Sequence, residues 1–541
     1  MKLKINGNTP IETKKIDSLD YLKIHKNYSS IKSEIDSIQN VFFKAGYIEN
    51  NLLQINKLND TLFIVEIHLK NKYRNISIYY NKNEISQTLL ESISNKVNDD
   101  YFEIPLSEIE KSLEYINSKT TELGFPFSKL KLADIKVKDS HNLEAKLIID
   151  SQNKKRVINN IVVKGYEKFP RSYLKHFLKI KKNQLFDLKT INEKTTQIND
   201  LRFANQIKGP EVLFSKDSTS LYIYVKKLQS NSFDGFLGFG TNEDTNKLEF
   251  NGYLNLNLMN NLNFGETFRL LYKSDENDQN TFETNLTLPY LFKSPIGVDL
   301  QLNIFRRDSS FSTAKQSAKI HYQINSKHKV YTGVSNTKSD NLLSSNINNQ
   351  IDDFNTNYYS LAYEYIKPQS NNLLFPYNAA LLIETNFGER ENNSNSEKQS
   401  LLIIDAFKIV NFNNKNSIYI RVNGSNLNSN SYFENELLRF GGINSIRGFE
   451  ENSILASQYG LINSEYRYQL NNSIFIHTIT DVAYFENKLS NTDEKLFGYG
   501  FGFGILTKSG LLKLNYANGK SENQKFKLSN SKIHISLKAQ F

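Results

Sequence analysis

KIHISLKAQF, Lys532–Phe541, sets Ile533, Ile535, Leu537, Ala539 and Phe541 in alternation with Lys532, His534, Ser536, Lys538 and Gln540. Successive side chains of a strand point to opposite faces, so this segment has one apolar and one polar face. The same period of two recurs upstream in Leu248-Phe250-Gly252-Leu254-Leu256-Leu258, Phe268-Leu270-Tyr272, Phe282-Thr284-Leu286-Leu288, Val298-Leu300-Leu302-Ile304, Ala318-Ile320-Tyr322-Ile324 and Ile418-Ile420-Val422. Asn- and Ser-rich tracts such as Ser344–Asn349 and Asn392–Ser396 separate the segments.

Alternation alone also suits a soluble sandwich. Length separates the two readings: residues 230–541 offer room for roughly 16–20 strands, beyond a single sandwich but ordinary for a transmembrane barrel. An all-β barrel of about 16 antiparallel strands is therefore expected over 230–541. Lipid offers the backbone no hydrogen-bond partner, so such a sheet must close on itself. A polar lumen then reconciles a mean hydropathy of −0.51 with membrane insertion. No run approaches the about 18 apolar residues of a membrane-crossing helix; the densest patches, such as Leu401–Ile404, stop after a few positions.

Upstream of Ser230 the pattern is a longer repeat. A helical stretch ending in a small turn and an aromatic occurs as KAGY (Lys44–Tyr47), ELGF (Glu122–Phe125) and LRF (Leu201–Phe203), and the aromatics are 78 residues apart each time. Three α+β units of βααββ order are expected, at 1–73, 74–152 and 153–229. In the second, a strand at Ile76–Tyr80 precedes a helix with Leu106, Ile109, Leu113, Ile116 and Leu123 on one face, opened by a Ser107/Glu110 capping box, and then strands at Lys129–Val137 and Asn142–Ile149. Open sheet edges in such modules can accept an extended chain as an added strand; rigid spacers are the plainer alternative. No Pro-rich linker separates the units, which favours a semi-rigid arm.

The net charge of +10 is concentrated. Asn153–Gln229 holds 17 Lys plus Arg against 6 Asp plus Glu, and the rest of the chain is close to neutral. Nucleic acid, an anionic membrane surface and a solvated face all fit a basic segment. Zinc-finger, RRM and basic-zipper signatures are absent, and Tyr173, Phe177 and Phe186 sit at spacings that suit a core. No nucleic-acid partner is expected, and Lys179, Lys181 and Lys182 form the expected membrane-proximal basic patch.

The absence of Cys excludes disulfides, thiolate catalysis and Cys-based metal sites. Neither GxSxG nor HExxH occurs and the eight His are scattered singly, so no enzymatic activity, metal or cofactor is expected. The 36 Phe and 30 Tyr without Trp fit either a biased genome or a structural demand for those rings. The start MKLKINGNTPIETKKID lacks the apolar region of a secretory signal, which suits a mature form with an added Met or a chain that stays inside the cell.

One loop carries a family resemblance. Within ELLRFGGINSIRGFEENSI (Glu436–Ile454), the piece GGINSIRGF (Gly441–Phe449) resembles the Arg-Gly-Phe/Tyr loop of the BamA/TamA/FhaC superfamily of outer-membrane assembly and secretion barrels. The resemblance extends over nearly the whole chain. The repeats look like POTRA domains, SFDGFLGFGTNE and FNGYLNLNLMNNLNFGETFRLLYK like the first barrel strands, and GYGFGFGILTKSGLLKLNYANG like the penultimate hairpin; Phe541 matches the family's aromatic C-terminal strand signal. Departures are Lys182-Asn183 where a Gly is common, Ile479 in place of an aromatic two residues before Asp481, and TKSG without a proline.

The resemblance implies that the loop, with Gly441, Gly442, Gly448 and Phe449 around Arg447, folds into the lumen and that Arg447 meets Glu465 and Asp481 there. Alternation independently puts Glu465 on one face with Asn463, Arg467 and Gln469. A guanidinium can bridge two carboxylates with fork-like bonds that Lys cannot reproduce. Gly498, Gly500, Gly502 and Gly504 strip side chains from one face of their strand, either to make room for the loop or to allow curvature.

The resemblance further implies a barrel in the outer membrane and a POTRA arm in the periplasm. Its partners would be unfolded outer-membrane or secreted polypeptides, outer-membrane lipid and a periplasmic or inner-membrane assembly protein. The architecture is most like TamA, with general BamA-like assembly second and a two-partner-secretion transporter third. Transporters of that last kind usually carry two POTRA domains and a plug helix, and three repeats with no plug-like helix in the first 27 residues argue against it.

Overall fold

The structure, a computed structural model, describes residues 1–150, 154–241, 248–274, 279–343, 350–369, 372, 374–392, 395–507, 510–523, 527 and 531–540, with the backbone alone for 236–241, 248–252 and 534–540. Phe541 lies outside the described residues. The chain divides into two compact units. One is Met1–Asn159 with Asn183–Leu188 and Phe214–Thr219; the other is Asn160–Lys182, Lys189–Leu213 and Ser220–Phe541.

In the second unit, sixteen antiparallel strands from Ser232–Thr241 to Ser531–Gln540 close into a barrel. Period two decides which side chains face where. On Phe311–Gln323, Ile320 and Tyr322 point outward and are exposed, whereas His321 is buried on the lumen side. Tyr359, Leu361, Phe387, Ile462, Tyr466 and Phe501 extend the apolar outer surface. No helix among the described residues is long and apolar enough to cross a membrane. Ile324, expected at the end of a strand, lies one residue beyond it.

The ladder around the barrel is uneven. Most neighbouring strands share eight to fourteen register pairs, as between Leu248–Met259 and Thr267–Ser274 or between Ile474–Asn487 and Thr492–Thr507. Among the described residues the first and last strands share two, Ser232↔Gln540 and Phe233↔Ala539. Each ladder hydrogen bond contributes a net of about 0.5–1.5 kcal/mol, so this seam is by far the weakest line of the barrel.

The N-terminal repeats each bury helices on one sheet face. In the first, Lys2–Gly7 runs parallel to Leu62–His68, and Asn51–Asn59 forms the outer strand. Its helices Pro10–Asp17 and Tyr28–Lys44 seat Ile16, Ile31 and Ile35 against Ile5, Val65 and Ile67.

The second repeat differs from the expected order. Two additional strands, Lys96–Val97 and Tyr101–Pro105, widen its sheet to five, with Lys129–Val137 outermost on the other side. The helix Ile109–Glu122 is preceded by a 3-10 turn and receives no side-chain cap, so the expected Ser107/Glu110 capping box does not form. Leu123 lies past the helix end and is exposed, whereas Ile116 is buried.

The third repeat has a sheet of Asn160–Lys164, Thr219–Lys227 and the outer strand Ala204–Phe214. Its first helix is a single π turn, Tyr173–Phe177. Asn183, at the position where a Gly is common, has φ 63°, a left-handed conformation that Asn tolerates better than most residues.

Candidate functional site

The lumen loop leaves the barrel wall as a short hairpin, Leu438–Phe440 paired with Ile454–Ala456. Apolar contacts fix its base: Phe440, Ile446 and Ala456 are buried with Leu461, Ala483 and Leu496 of the wall, and Phe449 packs on this cluster. Phe440 stacks on Tyr459 at 4.5 Å. Beyond the hairpin the chain turns through Gly441, Gly442 and Gly448, with φ of 116°, 93° and 93°. Only glycine enters this region readily, and a Cβ at Gly448 would overlap the backbone of Asn518 and Gly519.

This turn delivers Arg447 to two wall strands. Its Nε donates to Asp481 Oδ2 at 2.8 Å, its Nη2 to Asp481 Oδ1 at 2.6 Å, and its backbone N–H to Oδ2 at 3.0 Å. Nη1 donates to Glu465 Oε1. Asp481 is 1% exposed and Arg447 5%, so the charges neutralise one another away from bulk water. The other Glu465 oxygen accepts from Arg467 Nε at 2.7 Å, and the Arg467 guanidinium lies over Tyr419 at 4.1 Å and Phe375 at 4.5 Å. The three residues named by the resemblance are thus in direct contact, and Arg467 joins them.

Of the four alternating glycines, Gly498 faces the loop: a Cβ there would overlap the Arg447 carbonyl. At Gly502 and Gly504 the space is taken by His477 and Phe475, and Gly500 abuts the backbone of Tyr516. Room for the loop comes from Gly498 together with Gly519.

A second clamp was not singled out in the sequence. Arg421 binds Asp405 bidentately, Nε–Oδ1 2.8 Å and Nη2–Oδ2 2.7 Å, and its Nη1 donates to the Asn444 carbonyl at 2.6 Å. Asn463 Nδ2 adds a bond to the Ser445 carbonyl at 2.8 Å. A charged residue at the lumen phase of an alternating strand, such as Asp405 after Leu401–Ile404, is the pattern that marks these positions.

The third repeat docks on the barrel turns at one end. Tyr173 Oη donates to the Gly265 carbonyl at 3.2 Å, Asn260 Nδ2 donates to Tyr166 Oη and Tyr166 Oη to Asn263 Oδ1, both at 2.8 Å. His176 Nε2 lies 2.8 Å from the Lys293 carbonyl. Gly265 has φ 81°, and a Cβ there would collide with the Tyr173 ring. Of the expected basic patch, Lys181 and Lys182 are exposed and Lys179 is half-buried, with its carbonyl accepting from Lys194 Nζ at 2.8 Å. No group of three or more His, Asp or Glu among the described residues is placed to hold a metal ion.

Residues 156–227 match the POTRA family described as a surface antigen variable number repeat. Among solved structures, BamA from Haemophilus ducreyi lacking POTRA domains 1–3 matches at 14% identity and TM-score 0.51, over 86% of this chain and 99% of that one. CdiB from Acinetobacter baumannii matches at 14% and 0.54, over 87% and 90%. CdiB from Escherichia coli matches at 11% and 0.55, over 94% and 98%. Curated protein sequences gave no match.

Proposed function

We propose that this chain, which carries a POTRA repeat and the fold of the BamA/TamA/FhaC superfamily, is an outer-membrane assembly or translocation factor whose repeats face the periplasm. The observation that carries this reading is the seam: a barrel fully paired elsewhere is held between first and last strands by Ser232↔Gln540 and Phe233↔Ala539 alone among the described residues. An unpaired strand edge recruits another strand, so the seam offers an entering client a template and an exit into lipid. The outer strands Asn51–Asn59, Lys129–Val137 and Ala204–Phe214 are mostly exposed along their length, which suits capture of extended polypeptide by strand addition. The client's own burial in lipid drives the process, so neither cofactor nor covalent chemistry is required.

Within this class we favour a TamA-like role. Three repeats and a lumen crossed by a loop clamped at Arg447 and Arg421 fit a scaffold for insertion better than an open export channel. The chain has no Cys, so Phe233→Cys with Ala539→Cys, one of the two register pairs, would place a single disulfide across the seam. Oxidation should halt client biogenesis and reductant restore it. Normal client assembly by the oxidised barrel would sink the lateral-opening reading. Depletion followed by outer-membrane proteomics separates the roles: loss of one exported protein would point to two-partner secretion, and loss of most barrels to BamA-like assembly.

A further inference from the structure

The turn between the strands Gln279–Leu288 and Ile296–Arg307 holds Tyr290, Phe292 and Lys293 at φ of 58°, 51° and 59°, a region that residues with a Cβ rarely adopt. The arrangement points two rings in opposite directions. Tyr290 is buried against Tyr173 at 4.9 Å and His176 at 5.5 Å, while Phe292 is 98% exposed. The neighbouring turn also presents Leu262 and Phe264 to the outside. Its shape is fixed internally, because the Glu266 carboxylate accepts from the Leu262 and Phe264 N–H groups at 2.6 and 3.0 Å.

Between these two turns and the segment Glu167–Lys175 lies a groove of about 720 Å³ whose apolar lining includes Phe169, Pro289 and Leu291. Lys168, Arg171, Lys175 and Lys293 line it and are all exposed, against one carboxylate, Glu167. Apolar rings beside a ring of cations is the complement of an amphiphilic anion. A soluble phosphate would gain nothing from Phe264 or Phe292, and an acidic peptide would leave fully exposed rings at a membrane rim without cause.

We propose that this groove binds one anionic phospholipid of the periplasmic leaflet, its phosphate among Lys168, Arg171, Lys175 and Lys293 and an acyl chain along Phe264 and Phe292. The inference rests on the reading of the barrel as membrane-spanning. It relocates lipid recognition from Lys179, Lys181 and Lys182 to the junction of the third repeat with the turns after the second and fourth barrel strands.

The chain contains no Trp, so Phe292→Trp places a single fluorophore at the groove of the full-length protein. In phosphatidylcholine vesicles containing phosphatidylglycerol, brominated phosphatidylglycerol should quench it more strongly than brominated phosphatidylcholine at equal mole fraction. Each Lys or Arg changed to Gln should weaken that preference about fivefold at low salt. Changing all four should abolish it, while Lys→Arg exchanges preserve it. Equal quenching by both lipids would reduce Phe292 to a generic interfacial ring and overturn the proposal. Absence of quenching by either, or protection of the fluorophore by an added unfolded polypeptide, would overturn it as well. A separate Leu361→Trp reporter on the outer wall distinguishes the two failures: if that residue also escapes quenching, the membrane-spanning reading is at fault.

Discussion

Arg447 and Asp481 are joined by three hydrogen bonds, two from the guanidinium fork and one from the Arg447 backbone N–H. The side chain and the peptide that carries it are therefore fixed to the same carboxylate. This couples the conformation of the loop to the wall strand Ile474–Asn487, and through Glu465 to its neighbour Gln458–Gln469.

Arg447→Ala takes from the buried Asp481 the guanidinium it binds and leaves the buried Glu465 with Arg467 alone. Breaking such a pair costs about 3–5 kcal/mol. We expect a lower unfolding temperature for the barrel, seen as loss of heat-modifiable migration at a lower temperature, with the protease resistance of residues 1–150 in the full-length variant unchanged. Arg447→Lys should recover part of the stability, since an ammonium cannot span both carboxylates in the fork geometry.

Gly498→Ala places a methyl group on the Arg447 carbonyl. The loop must then move while every charged partner remains present. Overpacking of this kind costs about 1–3 kcal/mol. A Cys introduced at the half-buried Ser445 should react faster with a membrane-impermeant maleimide in the Gly498→Ala background than in the parent. Gly502→Ala should leave that rate at the parent's value, because position 502 abuts His477 and Asn515 rather than the loop.

Arg421→Gln tests the second clamp. It removes the donor to the Asn444 carbonyl and the partner of Asp405 while Arg447 stays bound. The Ser445 Cys reporter should show intermediate reactivity, and a double change with Arg447→Ala should exceed the sum of the singles, since both clamps hold one loop.

Docking of the third repeat should weaken in acid. Burial holds His176 below its ordinary value; the Lys293 carbonyl opposes that, and Lys175, Lys179 and Lys181 reinforce it. A ring with a depressed value in the docked state protonates first when released. Its contribution is therefore present above the ordinary value of about 6.5 and is lost as pH falls from there toward the docked value. Protease resistance of the Tyr166–Lys182 segment should fall over that window, and His176→Gln should flatten the dependence. Gly265→Ala, which collides with Tyr173, should abolish docking at every pH.

Much was legible in the chain because it is local. Alternation in segments such as Val298–Ile304 is set by the pleat of a single strand, so the strands could be read from residues two apart, while a barrel of about sixteen of them followed from the length of 230–541. The 78-residue recurrence of Tyr47, Phe125 and Phe203 likewise marked the repeats. The lumen face of Glu465 followed from its phase with Asn463 and Arg467. Where local rules compete, they gave less. Ser107 and Glu110 satisfy the spacing of a capping box, yet a 3-10 turn begins at Leu106 and removes the geometry. Phe541 carries the family's C-terminal signal but lies outside the described residues.

The sequence by itself thus determined the class of each segment, the polar and apolar faces of its strands, and Arg447 with its two acidic partners through resemblance. Only the tertiary structure decided how remote segments meet. Tyr173 and Gly265 are separated by 92 residues and Arg421 and Asn444 by 23, with no period linking them. The seam joins residues at opposite ends of the barrel, Phe233 and Ala539, and its weakness is a property of closure rather than of either strand. Such contacts depend on register and crossing geometry accumulated over sixteen strands, which no local pattern of side chains encodes.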